Sequence, residues 1–182
     1  HASSVRMANI APTVNTRGPL HVHPDGVVRR TTFHVLAMYA NLLQDQVLDT
    51  AVWSASMRAA DTEVPVVDAV ATVDSATGAV SVALVNKSPW ASARCEIRID
   101  GLLPAGRITS TVLTSDSPDS FNGIAAPDAV RPQELELGAD GSVVLPPHSV
   151  TVCRLEASLP AGATAGTGWN LRGLGADWQR LG

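Results

Sequence analysis

Aromatic residues are the scarcest class in this chain: two Phe, one Tyr and four Trp, 4% of 182 residues. A core made from it must be mostly Val, Leu, Ala and Ile, which a 45% hydrophobic composition can supply. Cysteine is almost missing too, with Cys95 and Cys153 alone. Each sits in an alternating, strand-like run, and nothing in the sequence places them within disulfide distance, so buried free thiols are expected. No C-x-x-C pair exists, which excludes a zinc ribbon or a dithiol redox motif. No apolar run approaches the ~20 residues of a spanning helix, so no membrane partner is expected. The first residues lack a basic–apolar–small leader, which makes a cytoplasmic location the expectation. Net charge is −4, and the densest basic element is the pair Arg29-Arg30. Nucleic-acid binding rests on clustered Lys and Arg facing phosphates, and two residues do not make such a patch. A GxxxxGK phosphate loop is also missing, and nothing calls for a cofactor.

The most structured stretch is Val5–Leu43. Val5, Met7, Ile10 and Ala11 form a short apolar run that reads as a buried strand ended by Pro12, which has no N–H to give. From Pro12 to Arg30 the chain has loop chemistry, with Pro24-Asp25-Gly26 as a turn signal. At Thr31 the period changes. Phe33, Leu36, Ala37, Ala40 and Leu43 recur three and four apart, which predicts a helix to Leu43 or Gln44, capped by Thr31 or Thr32. A strand, a long loop and a helix make half of a βαβ unit. In α/β folds the loops leaving the carboxyl ends of strands build the site, so Pro12–Arg30 is the place to expect ligand contacts.

The remainder reads as short strands and turns. Gln46–Trp53 leaves the helix as a first strand, and Ser54–Val64 reads as a loop. Val66–Val73 and Val80–Val85 flank Asp74–Gly78 as a hairpin. Arg94–Asp100 alternates, with Cys95, Ile97 and Ile99 on a dry face and Arg94, Glu96 and Arg98 on a wet one. Arg107–Thr114, Gln133–Leu137, Ser142–Leu145 and Ser149–Leu155 complete the set. Ser115–Pro132 is a loop longer than the usual connection, a length that points to function or mobility. The fold class expected is mainly β, a jelly-roll-like sandwich. The tail from residue 158 shifts to Ala, Gly and Thr and is expected to be disordered, or loosely docked by Trp169 and Trp178.

Several spaced motifs carry a resemblance. ANIA-x-TVN, then TTFHVLAMYANLL and LDT, then LVNKS, LTSDSPDSFNGIAAPDAVRP and PPHSVTVCRLE resemble, in order, the C-terminal part of glycoside hydrolase family 51, the α-L-arabinofuranosidases. The resemblance runs to about Leu155. It implies that Val5–Ala11 is the eighth strand of a (β/α)8 barrel, that Thr31–Gln44 is its eighth helix, and that a C-terminal β-sandwich follows. The implied organisation is residues 1–45 as an incomplete barrel unit, 46–157 as the sandwich and 158–182 as the tail. The implied parent reaction is hydrolysis, with retention, of terminal α-L-arabinofuranosyl groups on arabinoxylan or arabinan oligosaccharides. Such enzymes use two carboxyl groups about 5–5.5 Å apart. The resemblance puts both on barrel strands upstream of His1. A count of carboxylates agrees, because up to Gln44 the chain has only Asp25. The chain by itself is therefore expected to be inactive, and its barrel-like part to be poorly packed or paired with a second copy.

What the chain can offer is one wall of a sugar site. Asn15 and Arg17 follow the expected strand end and carry donors suited to sugar hydroxyls. An equally good reading is that they only hold the loop. The family often has a substrate-contacting Gln three residues beyond the Asn matched by Asn15. Here Gly18 stands there, which leaves Arg17 or the HVHPDG segment to take its place. His21 and His23 are two apart and share a side if extended. A third metal ligand is missing, so substrate contact or loop packing is the better reading. His148-Ser149 shows neither an orienting acid nor a second base for nucleophilic chemistry. The arabinose-containing oligosaccharide would reach this chain through the parent enzyme, which can be a homo-oligomer. Two other readings compete: a non-catalytic sandwich for carbohydrate binding or interdomain packing, and a small unrelated enzyme built on Asp25 and the histidines.

Overall fold

A computed structural model describes residues 7, 9–99, 108–137 and 142–156, and the backbone of residues 170–171. In chain order the elements are β1 (Leu20–His23), β2 (Gly26–Arg29), α1 (Thr31–Leu42), β3 (Gln46–Thr50), β4 (Ser56–Ala59), β5 (Thr62–Pro65), β6 (Val67–Val73) and β7 (Val80–Asn86). They continue with β8 (Ala93–Cys95), β9 (Ile108–Leu113), β10 (Gln133–Glu134), β11 (Val143–Leu145), β12 (Ser149–Leu155) and β13 (Asn170–Leu171).

The centre is a seven-stranded sheet in the order β10-β9-β12-β7-β6-β3-β13, antiparallel except where β13 runs parallel to β3. β7 pairs along its whole length on both edges, Val80 with Val73 and Leu155, Asn86 with Val67 and Ser149. Both of its faces are also covered. Val80, Val82 and Leu84 meet Cys95, Val143 and Leu145 of the short β8–β11 sheet, the second layer of the sandwich. Ala83, on the other face, meets Met38 of α1 and Val152. A strand buried on two faces needs a near-continuous apolar sequence, and VSVALVN is one.

The β6–β7 hairpin forms as its sequence predicts. Asp74 accepts backbone hydrogen bonds from Ala76 and Thr77, and Gly78 takes the left-handed conformation that closes the turn. β12 spans the predicted residues. The alternation from Arg94 holds in burial, with Ile97 and Ile99 packed on the core. Pairing, however, stops at Cys95, because the described partner β11 is three residues long.

Several expectations need correction. Ser54–Val64 is not plain loop: β4 and β5 pair in it, across a turn that puts Ala60 at φ 52°, where no turn residue announced it. Pro12–Arg30 is not all loop either, since β1 and β2 form a hairpin around Pro24-Asp25. α1 starts at Thr31 with Arg30 as its N-cap and no side-chain cap, since Thr31 and Thr32 both lie inside the first turn. Its buried face is also turned. His34 and Met38 face the sheet, with Val35, Tyr39, Leu42 and Leu43 beside them, while Leu36 is 45% exposed. The sandwich therefore packs α1 itself, with Gln44 bonded to Thr72 and Ser81 at the helix end. The expected strand Val5–Ala11 lies partly outside the described residues, and Met7, Asn9, Ile10 and Ala11 form no strand. The chain is mainly β, and its described residues build no barrel. Of the expected disordered tail, only Asn170–Leu171 is described.

Candidate functional site on the β1–β2 hairpin

The predicted contact residues gather on one excursion, Thr13–Arg30. The chain turns at Asn15 and Thr16, with φ 55° and 42°. Left-handed backbone is tolerated by Asn and costly for β-branched Thr. The turn is held from several sides. Asn15 Oδ1 accepts from the Val22 amide at 2.7 Å, the Asn15 amide donates to Leu20 O at 2.7 Å, and the Gly18 amide donates to Asn15 O at 2.6 Å. Arg30 Nη1 donates to Thr16 O at 2.6 Å and to Gly18 O at 3.3 Å. Arg30 thus clamps the turn, a role the sequence did not reveal. Asn15 combines exposure with a loop-holding bond through its carbonyl oxygen.

Gly18 is buried, and its neighbours explain why. A Cβ there would lie 2.6 Å from the Pro12 and Thr13 carbonyl oxygens. No larger residue fits without moving backbone, so a Gln at this position would require another loop path. Arg17 is exposed at the tip.

His21 and His23 share one side of β1, as extended spacing predicts, with ring centroids 6.1 Å apart edge to face. His23 Nδ1 also lies 3.2 Å from Asp25 Oδ2 across the turn. Among the described residues no group of three His, Cys, Asp or Glu is placed to hold a metal ion. The opposite side of the hairpin shows Val22 and Val27, 47% and 59% exposed.

The hairpin base meets the sandwich. Arg29 lies over the Phe33 ring at 5.4 Å. His34 is buried nearby, and desolvation with the Arg29 charge lowers its pKa below the usual histidine value, against a smaller opposing effect of Asp128. Asn122, in the long loop Ser115–Pro132, reaches both. That loop is tied at its start by His148, whose ring nitrogens lie 3.0 Å from Pro89 O and 2.9 Å from Ser115 O. Ser149 Oγ donates to Pro146 O instead of facing that ring, so the two do not form a nucleophile–base pair. Cys95 and Cys153 are free and buried, and burial pushes their thiols up to about 11 and about 12.

A two-layer, mainly antiparallel sandwich with a helix and a hairpin on its flank is a β-sandwich module, and its described carboxylates build no buried acid pair. The chain belongs to the family of α-L-arabinofuranosidase C-terminal domains, which it matches over residues 1–149. It is 29% identical over 165 residues to α-L-arabinofuranosidase C of Emericella nidulans, covering 86% of this chain and 31% of that protein. Among solved structures it is similar to the family 51 arabinofuranosidase of Xanthomonas axonopodis pv. citri, at 33% identity and a TM-score of 0.74. It is also similar to the family 51 α-L-arabinofuranosidase AbfB of Bifidobacterium longum, at 29% identity and 0.76. Each of these two matches covers 85% of this chain and 32% of the other. The chain thus spans about a third of the length of these relatives and corresponds to the C-terminal region of a family 51 glycoside hydrolase.

Proposed function

We propose that this chain is the C-terminal region of a retaining α-L-arabinofuranosidase acting on terminal α-L-arabinofuranosyl groups of arabinoxylan or arabinan oligosaccharides. The observation that carries the reading is the extent of the family match, residues 1–149, which takes in hairpin, helix and sandwich together. In this reading the two carboxyl groups of double displacement, one acid/base and one nucleophile, stand on the part of the enzyme upstream of the chain. The hairpin supplies a wall of the sugar site. Asn15 and Arg17 donate to sugar hydroxyls, Gly18 keeps the turn close to Pro12–Thr13, and His21 and His23 line the adjacent side. The parent enzyme can assemble as a homo-oligomer. The test is hydrolysis of an aryl α-L-arabinofuranoside. The 182-residue chain should show no turnover above buffer, and a polypeptide that includes the upstream region should show it. Turnover by the chain itself would place the carboxyl pair here and overturn the reading.

The second reading is a non-catalytic module for carbohydrate binding or interdomain packing. Trp90 and Phe121, 78% and 74% exposed, favour it. Retardation of the chain in arabinoxylan-containing native gels, lost in Trp90→Ala, would support this reading.

A further inference from the structure

Asn122 ties the sandwich to the hairpin base by a partly buried hydrogen bond. It is separated from Arg29 by 93 positions and is 2% exposed. Its Nδ2 donates to Arg29 O at 2.8 Å, at the last residue of β2, and to Val130 O at 2.8 Å. Its Oδ1 accepts from the Val130 amide at 2.7 Å. The side-chain amide therefore uses both N–H groups and its carbonyl on backbone, with His34 Nε2 at 3.5 Å beside it. Val130 is itself 4% exposed and packs with Met38, Ala83, Leu113 and Val152. Asn122 is thus anchored in the helix-side core and reaches out to the hairpin base.

Arg30 is the single residue between β2 and α1. Arg30 fixes the turn from inside the hairpin, through Thr16 O, Gly18 O and its amide bond to Pro19 O. Those bonds give the hairpin its own shape. They do not fix its direction relative to the sheet. The Asn122–Arg29 bond bears on that direction, beside buried Val28 and the Arg29–Phe33 contact, because it joins the base of β2 to a loop fastened to the sheet.

We propose that Asn122 is a positioning residue: it sets the angle at which the β1–β2 hairpin, and with it Asn15, Arg17, His21 and His23, stands over the sandwich. The inference rests on the reading of the hairpin as a substrate wall. A displacement of ~1 Å at such a wall is enough to weaken oriented binding substantially. The sandwich then has a direct part in substrate binding without touching sugar.

The test uses two variants. Asn122→Ala removes every contact. Asn122→Asp keeps the acceptor for the Val130 amide and loses both donated bonds, which serves if the Ala variant does not fold. Amide exchange is followed in the 182-residue chain, comparing β1–β2 with β7 and β12. The expected result is exchange about tenfold faster in the hairpin, with the central sheet unchanged. In the enzyme that includes the upstream region, KM for an aryl α-L-arabinofuranoside should rise about five- to tenfold, with kcat changed less. A purely structural role would lower the active fraction and leave KM alone. Unchanged hairpin exchange in both variants overturns the inference. Faster exchange with unchanged KM overturns it as well, because the anchor would then hold no site. If the wild-type enzyme hydrolyses no arabinofuranoside, the proposed function fails separately, and the exchange data still decide whether Asn122 holds the hairpin.

Discussion

Strand β7 and the β1–β2 hairpin are written in similar residues and meet opposite surroundings. In β7, Val80, Val82 and Leu84 are all 0% exposed, between two neighbouring strands and two covering layers. In the hairpin, Val22 and Val27 stand in water, and only Val28 is buried. The first region is held by area removed from water, the second by polar fastenings from Asn15, Arg30 and Asn122. Burial is cooperative and insensitive to any one bond. A fastened element depends on a few atoms, and can be moved by changing one of them. That difference suits a scaffold that must stay fixed and, on the function proposed above, a wall that must be aimed.

The comparison breaks most directly at Leu84. Leu84→Ala should cost about 2–5 kcal/mol, since it leaves a cavity between layers that cannot collapse. Urea unfolding followed by tryptophan fluorescence measures it, and a loss below about 1 kcal/mol would mean the central sheet is not the source of stability. Gly18→Ala strikes the other region. The added methyl meets two carbonyl oxygens at 2.6 Å, and the strain should amount to about 1–3 kcal/mol. Amide exchange should quicken in β1–β2 alone, and equal quickening in β7 would deny that the two regions are separable.

Two smaller effects sharpen the contrast. Thr151 is fully buried opposite Leu84, and its hydroxyl finds no partner among the described residues. Thr151→Val should therefore stabilise by about 1 kcal/mol, read as a rise in the urea midpoint. A fall in the midpoint would reveal a bond to that hydroxyl. His34 supplies the pH-dependent term. Its pKa is lowered in the folded state, so the unfolded chain binds the proton more readily. The stability it contributes is complete above the ordinary value of 6.5 and is lost as pH falls through 6.5 toward the lower folded value. His34→Gln should flatten the fall in Tm between about pH 7 and about pH 5, and an unchanged slope would assign that fall to other groups.

The sheet was legible where alternation and a turn with a chemical reason coincide. Asp74 and Gly78 mark the β6–β7 turn, and VSVALVN marks a strand covered on both sides. The β4–β5 hairpin was not legible, because Ala60 takes a left-handed conformation that Ala does not advertise. The helix was placed within a residue or two but read on the wrong side. Phe33 and Leu36 outweigh Met38 on any hydrophobic tally, yet the sheet selects the face with His34 and Met38. Within the candidate site, the turn at Pro24-Asp25 and the shared side of His21 and His23 followed from spacing alone. Arg30 and Asn122 did not. The carbonyls their side chains donate to lie 8 to 93 residues away, and a backbone carbonyl leaves no mark in a sequence. The length of the Ser115–Pro132 loop was the one available hint of Asn122.

Cys95 and Cys153 give the sandwich a built-in gauge of its own opening. Both thiols lie in the same core cluster, 1% and 0% exposed, and burial holds them protonated at neutral pH. A thiol reagent added from solution can reach them only when strands part. The rate at which the native chain takes up such a label is therefore a clock for breathing of the sandwich, whose two layers carry one thiol each. Motions of the hairpin alone leave that clock untouched.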